Sequence, residues 1–200
     1  MAGPAPREAS ADDFDRTVDI LAEAFAEDPV MSWTLGGRGR AGILFRELGR
    51  RLYRPHGFSH VAGDDAATWW LAPGRPAVMK GADQAALAWS LLRTCGLATL
   101  RRAARVGKIA EQAHPPYPHY YLFAVGVRPR ARGGGLGGRL IAEGLKRADA
   151  DGAPAYLENS NPRNTPLYRR LGFVAGAPLP LPAGAPTLLA MSRAPAAAPS

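Results

Sequence analysis

The segment 120–158 constrains the fold of this chain most, because it reads as strand, glycine-rich turn, helix and strand in succession. Tyr120–Val127 is a nearly continuous apolar run with aromatic and β-branched residues, typical of a strand buried on both faces. Residues 133–138 are glycine except for Leu136, and they lead into a helix with one apolar face. Residues 153–158 predict a second strand. This unit predicts an α/β protein.

The glycine-rich turn predicts an anion site. A turn of this kind gathers backbone N–H groups at the positive end of a helix, which suits a phosphate group. The P-loop pattern fails because no Lys-Ser/Thr pair follows, and the Rossmann pattern fits poorly. Residues 1–100 carry 11 basic and 12 acidic side chains, whereas residues 101–200 carry 14 and 5. A basic half suits an anionic ligand, although 22 of the 25 basic residues are arginine, so coding bias is the alternative explanation.

The rest of the chain predicts helices around this unit and more strands beside it. We expect a single α/β domain over residues 1–193, with a mixed, twisted sheet whose central strands splay apart near Val127 and Glu158. The predicted helices are 14–25, 41–53, 82–113 with breaks near Gly96 and Gly107, and 165–171; the predicted strands are a hairpin of 58–62 with 67–72, and 173–174 and 187–192. The low-complexity tail, 194–200, is expected to be disordered.

Composition narrows the location and the possible cofactors. No apolar run approaches the ~18 residues that cross a bilayer, and the first residues have no apolar signal core, so neither a membrane span nor secretion is expected. The single cysteine, Cys95, excludes an internal disulfide framework, which favours a reducing cytoplasm. His114 and His119 have no evident third ligand, so no metal site is predicted. No helix-turn-helix or RNA-binding aromatic signature is present, so nucleic acid is not an expected partner.

Two motifs resemble the GCN5-related N-acetyltransferase (GNAT) superfamily. Arg132, Gly135 and Gly137 match its Gln/Arg-x-x-Gly-x-Gly/Ala signature, and a Val-x-Pro sequence precedes them as in the family. The segment 164–173 is similar to the family's Asn-x-x-x-Tyr-x-x-x-Gly-Phe sequence. The passage is especially similar to the branch that contains puromycin N-acetyltransferase. The strong resemblance covers about 117–173, and the first hundred residues match only loosely.

The resemblance implies acetyl-CoA as cosubstrate and a set of residues that hold it. The glycines would let backbone N–H groups approach the diphosphate, Arg132 or Arg139 would add charge, and strand residues would pair with the amide-bearing pantetheine arm. Gly134 stands where the family often has a basic residue. Asn164 would bind the pantetheine or cap its own helix. The predicted cofactor-binding residues are Val125, Val127, Arg132, Gly133, Gly134, Gly135, Leu136, Gly137, Gly138 and Asn164.

The resemblance also implies the catalytic groups. Tyr168 corresponds to the family's general acid, since a phenol is protonated at neutral pH and can donate to the departing thiolate. Core packing is the alternative role of this tyrosine. A backbone N–H near Val125 would stabilise the oxyanion. Glu158, at the end of its strand, is the first candidate for the general base, with a structural hydrogen bond as its alternative, and His119 is the second candidate.

The predicted function is direct acetyl transfer from acetyl-CoA to a primary amine of a small, antibiotic-like molecule. Two alternatives remain open: a protein or peptide N-acetyltransferase, and a non-catalytic acyl-CoA-binding protein. The first half, especially 25–33, Trp69, Trp70 and 74–116, is expected to select the amine. Glu27 and Asp28 would attract a cationic amine or lie at a solvated helix end. The oligomeric state stays open, with a homodimer among the options.

Overall fold

A seven-stranded sheet forms the centre of the protein, whose computed structural model describes residues 4–196. The strand order is β1-β2-β3-β4-β5-β7-β6. Neighbouring strands pair antiparallel except β4 and β5, which pair parallel. The strands are β1 Arg7–Glu8, β2 Gly57–Ala62, β3 Ala66–Leu71, β4 Tyr120–Val127, β5 Ala155–Asn159, β6 Val174–Pro178 and β7 Leu189–Arg193.

Seven helices flank this sheet in the described part of the chain. Short 3₁₀ turns at Ala11–Asp13, Pro129–Ala131 and Pro162–Asn164 lead into α1, α6 and α7, and a π-helical turn, Gly49–Tyr53, joins α3 to α4. The helices are α1 Phe14–Ala24, α2 Pro29–Leu35, α3 Ala41–Leu48, α4 Arg54–His56, α5 Gly81–Ala113, α6 Leu136–Ala150 and α7 Thr165–Arg170.

The two faces of the sheet carry separate hydrophobic cores. On one face, which we call the α1 face, Ile20, Leu21 and Phe45 of α1 and α3 pack against Trp69. On the other, the α6 face, helix α6 and Tyr168 pack against Trp70. Adjacent residues of β3 therefore supply one tryptophan to each core, because successive side chains of a strand point to opposite faces. Burial of both apolar faces is what holds the sheet between its helices.

Helix α6 lies very close to the sheet at Gly144. A Cβ atom at this position would lie 2.4–2.6 Å from three atoms of the Trp70 indole, which is too close for any side chain. Trp70 is fully buried. The glycine thus permits the close approach of the helix, and it fixes the position of α6 relative to β3 and β4.

The predicted splaying of the central strands is confirmed. β4 and β5 pair only at Tyr120 with Ala155 and at Tyr121 with Tyr156. Beyond these two pairs, β4 continues beside β3 and β5 continues beside β7. A cleft therefore opens between the strands toward Val127 and Asn159, and the predicted mixed α/β sheet is the observed one.

Several predicted boundaries are corrected by the structure. α5 bends only at Gly96, whose φ of 81° is left-handed; the helix continues through Gly107. Asp28-Pro29 does not simply stop a helix but begins α2, with the Asp28 carboxylate accepting a hydrogen bond from the Met31 N–H. Strand β1 was not predicted. The predicted tail, 194–200, lies partly outside the described residues, and within them the Ala196 N–H donates to Asp149.

Candidate active site

The cleft between β4 and β5 leaves one edge of β4 without a strand partner over 122–127 among the described residues. A bulge lies here, because Trp69 pairs with Ala124 and Trp70 with Leu122, so Phe123 is the extra residue. Backbone N–H and C=O groups at an open strand edge can hydrogen-bond an extended ligand as an added strand would. Val125 and Val127, both half-buried, lie on this stretch.

The glycine loop lies at the open end of the cleft, directly before α6. Gly133 and Gly135 have φ angles of 86° and 74°, which side chains rarely adopt, so glycine is required there by conformation. Gly134 has an ordinary φ, and a Cβ built on it would meet nothing closer than 3.9 Å. Cβ atoms at Gly137 and Gly138 would lie 3.4 Å from Val127 and 3.2 Å from Leu167. The loop is therefore an open cradle of backbone groups at a helix N-terminus.

Two arginines beside this loop have different roles. The Arg132 guanidinium donates to the Val127 carbonyl at 3.2 Å and to the Ala24 carbonyl at 3.1 Å, so it holds the loop against β4 and α1. The Arg139 side chain, in the first turn of α6, has buried Nε and Nη2 atoms without a hydrogen-bond partner among the described residues. Buried donors of this kind are costly when unpaired, and an anionic group would satisfy them. These features fit the phosphates of coenzyme A.

Helix α7 places Tyr168 over the α6 face of the sheet. The helix ends at Arg170 with Leu171 as its C-cap, and Gly172, with φ of 88°, follows in the left-handed conformation, as predicted. Tyr168 is 7% exposed and packs edge-on against Phe173. Burial, with a smaller contribution from the negative charge of Asp28, raises the pKa of the Tyr168 phenol well above its usual value. The phenol therefore remains protonated at every physiological pH.

Asp28 connects the first half of the chain to this region. Its carboxylate accepts from the Ser160 hydroxyl at 2.6 Å, and Ser160 follows β5 directly. Burial raises the Asp28 pKa, while the Met31 N–H and Ser160 counteract that effect. Asp28 thus acts as a helix cap and a brace, whereas Glu27 is exposed and lies 3.4 Å from Arg38.

Glu158 of β5 points to the α1 face and is almost completely buried. The Tyr121 hydroxyl donates to Glu158 Oε2 at 2.7 Å, and Oε1 has no hydrogen-bond partner among the described residues. Burial raises the Glu158 pKa to about 7, although the hydrogen bond from Tyr121 favours the ionised form. A carboxylate that titrates at neutral pH can accept a proton from an amine and release it again in each cycle.

Two histidines extend from Glu158 to the surface. His114 Nε2 lies 3.6 Å from Glu158 Oε1, and His114 Nδ1 lies 3.0 Å from His119 Nε2. His119 Nδ1 lies 2.8 Å from the Tyr117 carbonyl oxygen. Burial and the neighbouring His119 lower the His114 pKa to about 4, so His114 is neutral at physiological pH. His119, the second predicted base, thus reaches Glu158 only through His114.

The predicted acid and base lie on opposite faces of the splayed sheet. Tyr168 belongs to the core of the α6 face, together with the partly buried Val125, whereas Glu158 is bonded to Tyr121 of the α1-face core. A reacting group threaded between β4 and β5 would therefore have a proton donor on one side and a proton acceptor on the other.

Other predicted residues have different outcomes. Asn164 is exposed and makes no side-chain capping bond, so its capping role is wrong for this structure. The cap of the preceding 3₁₀ turn is Asn161. Trp69 and Trp70 are 1% and 0% exposed, so they support the two cores and do not line a surface that could select an amine.

Three positions near the site were not identified from the sequence. Tyr121 and His114 contact Glu158, and the buried Asn159 links β5 to α7 by donating to Thr165 Oγ1 at 2.9 Å. Tyr121 lies within the apolar run of β4, so nothing in the sequence separates it from the core residues around it. From the sequence, His114 was considered as a metal ligand, because its contact with Glu158 depends on the tertiary fold and cannot be read from sequence spacing.

The described residues contain no group of three or more His, Cys, Asp or Glu side chains that could hold a metal ion.

Comparison with known proteins identifies the family. The sequence profile of the acetyltransferase (GNAT) family matches residues 64–173. The chain is 30% identical over 178 residues to a mycothiol acetyltransferase of Streptomyces scabiei, which covers 71% of this chain and 57% of that protein. A mycothiol acetyltransferase of Salinispora arenicola is 43% identical over 56 residues, covering 26% of this chain and 18% of that protein. The chain therefore belongs to the acetyltransferase (GNAT) family, and it spans little more than half the length of the first of these relatives.

Solved structures agree with this assignment. A protein of Corynebacterium glutamicum, described as histone acetyltransferase HPA2 and related acetyltransferase, is 29% identical with a TM-score of 0.74, and the similarity covers 99% of both chains. Arylalkylamine N-acetyltransferase 2 of Aedes aegypti shares the fold, with a TM-score of 0.64 at 12% identity over 94% of this chain and 97% of that one.

In the described residues no helix has both the length and the apolar character needed to cross a bilayer.

Proposed function

We propose that this protein transfers an acetyl group directly from acetyl-CoA to the primary amine of a small molecule. The observation that carries the proposal is a buried carboxylate with a pKa of about 7, Glu158, on one face of a splayed strand pair whose other face carries a protonated tyrosine. A non-catalytic acyl-CoA-binding protein would have no need for this pair.

Acetyl-CoA fits the residues around the cleft. The glycine loop and the unpaired Arg139 donors would hold the phosphates, and Arg132 would keep the loop in place through its bonds to Val127 and Ala24. The open edge of β4 around Val125 would bind the pantetheine arm by backbone hydrogen bonds, and Asn164 is exposed and free to contribute. Bound acetyl-CoA supplies an activated acetyl group and a thiolate leaving group.

Two side chains of the protein would then transfer protons during the reaction, one as acceptor and one as donor. Glu158 accepts a proton from the substrate ammonium, directly or through water, which leaves a neutral and nucleophilic amine. Tyr168 donates its phenol proton to the departing sulfur, and the second proton of the nitrogen, released as the amide forms, restores the phenol. An N–H group of the β4 edge near Val125 would stabilise negative charge on the acetyl oxygen. The transfer is direct and uses no covalent acyl-enzyme; Cys95 lies within α5 and not on the strands or the glycine loop that form the cleft.

A small amine is favoured over a protein substrate because the base is enclosed. Glu158 is surrounded by aromatic side chains of the α1 face, namely Tyr53, Tyr121, Tyr156 and the His114 ring. An enclosed aromatic site suits a slender amine, whose positive charge aromatic faces attract. The name mycothiol acetyltransferase, borne by several relatives, makes a small-molecule substrate the first one to test.

We propose further that residues 1–193 form one catalytic domain, with the acetyl-CoA-binding core at about 117–173. The lone Cys95 favours a cytoplasmic location.

The proposal is tested by free-thiol release from acetyl-CoA in the presence of a panel of small primary amines and N-terminal and lysine peptides. We expect release with at least one small amine, and acetylation of its nitrogen by mass spectrometry. Release with peptides alone would replace the small-amine proposal by protein acetylation. Acetyl-CoA binding without release from any acceptor would favour a non-catalytic binder.

A further inference from the structure

Glu158 is buried, so a proton that it accepts needs a path to solvent. In each cycle this carboxylate takes a proton from the amine, and the proton must reach water before the next cycle. The side chain is 7% exposed, and acetyl-CoA would fill the open end of the cleft beside it. A path that leaves toward the opposite end of the strands would let export proceed with the cosubstrate bound.

The hydrogen bonds fix the tautomers of the two histidines along such a path. A carbonyl oxygen only accepts, so His119 Nδ1, 2.8 Å from the Tyr117 carbonyl, carries a hydrogen. A His119 ring with its one hydrogen on Nδ1 accepts at Nε2, and His114 Nδ1, 3.0 Å away, then donates to it. His114 in turn has its lone pair on Nε2, the atom that faces Glu158 Oε1. Both histidine donors therefore point away from Glu158, and the last of them is held by the Tyr117 carbonyl.

We propose that His114 and His119 form a proton path that carries the proton from Glu158 to solvent at the end of the sheet opposite the glycine loop. The proposal rests on the proposed function. Both residues act through Glu158, and neither needs to touch the substrate.

The transfer balances as three bond exchanges. The O–H bond of protonated Glu158 breaks as a bond forms to His114 Nε2; the His114 Nδ1–H bond breaks as a bond forms to His119 Nε2. The His119 Nδ1–H bond then breaks as the proton passes to water or a buffer base, once its hydrogen bond to the Tyr117 carbonyl has opened. Each ring regains its Nδ1–H tautomer when water takes the Nε2 proton and another water molecule protonates Nδ1, an exchange that moves no net charge and resets the path.

The exit is open. His119 is half-buried and lines a cavity of about 260 Å³ together with Tyr117, Arg75 and Leu71. This cavity lies where β4 begins and β3 ends, whereas the glycine loop follows the other end of β4. Water in it can take the proton from His119 while acetyl-CoA remains in the cleft.

The energetics allow the path. The 3.6 Å gap between Glu158 and His114 exceeds a hydrogen bond by a few tenths of an ångström, and catalytic hydrogen bonds commonly shorten when substrate binds. A proton moving from a group with a pKa of about 7 to one of about 4 occupies the second site about a thousandth of the time. A proton hop between hydrogen-bonded groups is far faster than a typical turnover of ~10 s⁻¹. Proton export therefore remains faster than turnover even when His114 is protonated only about a thousandth of the time.

The groups that face Glu158 support a single exit. They are Tyr53 of the π-helical turn, Tyr121 of β4, Tyr156 of β5 and His114 at the end of α5. Burial and the negative charge of Glu158 raise the pKa of each of these tyrosines, so none of them releases a proton near neutral pH. Among these neighbours in the described part of the chain, only His114 has a second hydrogen-bonded partner, His119, that leads toward the surface; the Tyr121 hydroxyl is bonded to Glu158 and the Tyr156 hydroxyl has no partner.

The test compares the His119→Gln and His114→Gln variants with a His56→Gln control, whose histidine lies in α4, away from this chain of contacts. At pH 8 Glu158 begins ionised, so His119→Gln should complete a first turnover at the wild-type rate and then slow at least tenfold. Added imidazole should restore the steady state in a concentration-dependent manner, and it should have no effect on the wild type or the control.

A steady-state rate within twofold of wild type, or a slow rate that imidazole does not raise, overturns the proposal. If the first turnover of His119→Gln is slowed as much as its steady state, His119 has a structural role, and this result also overturns the proposal. Nitrogen NMR offers a readout besides activity: both histidines should be in the Nδ1–H tautomer, and the Nε2–H tautomer at either contradicts the path. If the wild type acetylates no amine, the proposed function fails; if it does and the variants match it, only the proton path fails.

Discussion

Replacing Glu158 with Gln should make the protein more stable at alkaline pH while sharply lowering its proposed activity. The carboxyl pKa is about 7 in the folded protein against 4.5 in an exposed chain, so the folded state binds the proton more tightly. The proton therefore stabilises the fold fully below about pH 4.5, and this stability is lost as pH rises through 7.

The size of the effect follows from that difference. About two and a half pH units at about 1.36 kcal/mol each give about 3 kcal/mol, which Glu158→Gln should recover at pH 8. Gln keeps the hydrogen bonding, since its oxygen accepts from Tyr121 and its amide can donate to His114. For a chain of this size the Tm should rise by roughly 6–12 °C at pH 8 and by little at pH 5.

Thermal unfolding of the wild type and Glu158→Gln at pH 5 and pH 8 measures this directly. Glu143→Gln is the matched control, because its carboxylate lies in a surface pair with Lys146 and should give no pH-dependent gain. A Glu158→Gln variant that is no more stable than wild type at pH 8, or whose gain is equal at both pH values, would refute the reasoning.

Three further predictions concern the cleft and the core. Tyr168→Phe should lower kcat by about 10²–10⁴-fold with little change in Tm, because no hydrogen bond engages the phenol within residues 4–196; a normal single-turnover rate would remove it from the mechanism. Gly134→Asp should weaken acetyl-CoA binding in calorimetry without backbone strain, whereas the neutral Gly134→Asn should bind more nearly as wild type; equal affinities would argue against phosphates at the loop. Gly144→Ala should destabilise by about 1–3 kcal/mol in denaturant unfolding despite the better helix propensity of alanine, and unchanged stability would mean that Trp70 can move.

Local patterns were sufficient to predict the elements that build the cleft. β4 was predicted with its observed bounds, and the glycine loop, α6 and the left-handed Gly172 follow from residue types that allow few other conformations. The helix that begins at Pro29 was missed because an Asp-Pro pair both ends one helix and caps another. Gly107 was taken as a break, yet a single glycine costs a long helix only about 1 kcal/mol.

The chemistry of the site depends more on tertiary contacts. Glu158 was selected from its place at a strand end, but its raised pKa comes from burial among side chains from three distant parts of the chain. The His114 contact arises where α5 ends beside β5, and no spacing in the sequence encodes it. The tryptophans expected to meet the substrate instead face the two cores, because the β3 strand is covered on both sides.

The pH dependence of kcat/KM for an accepted amine tests the central claim, that Glu158 takes the proton from the acceptor, most directly. With wild-type protein kcat/KM should rise with pH through an apparent pKa near 7 and then level off, since the free enzyme's base must be ionised. In Glu158→Gln this limb should disappear and the residual rate should follow only the ionisation of the amine. A limb near 7 that persists in Glu158→Gln would contradict the assignment.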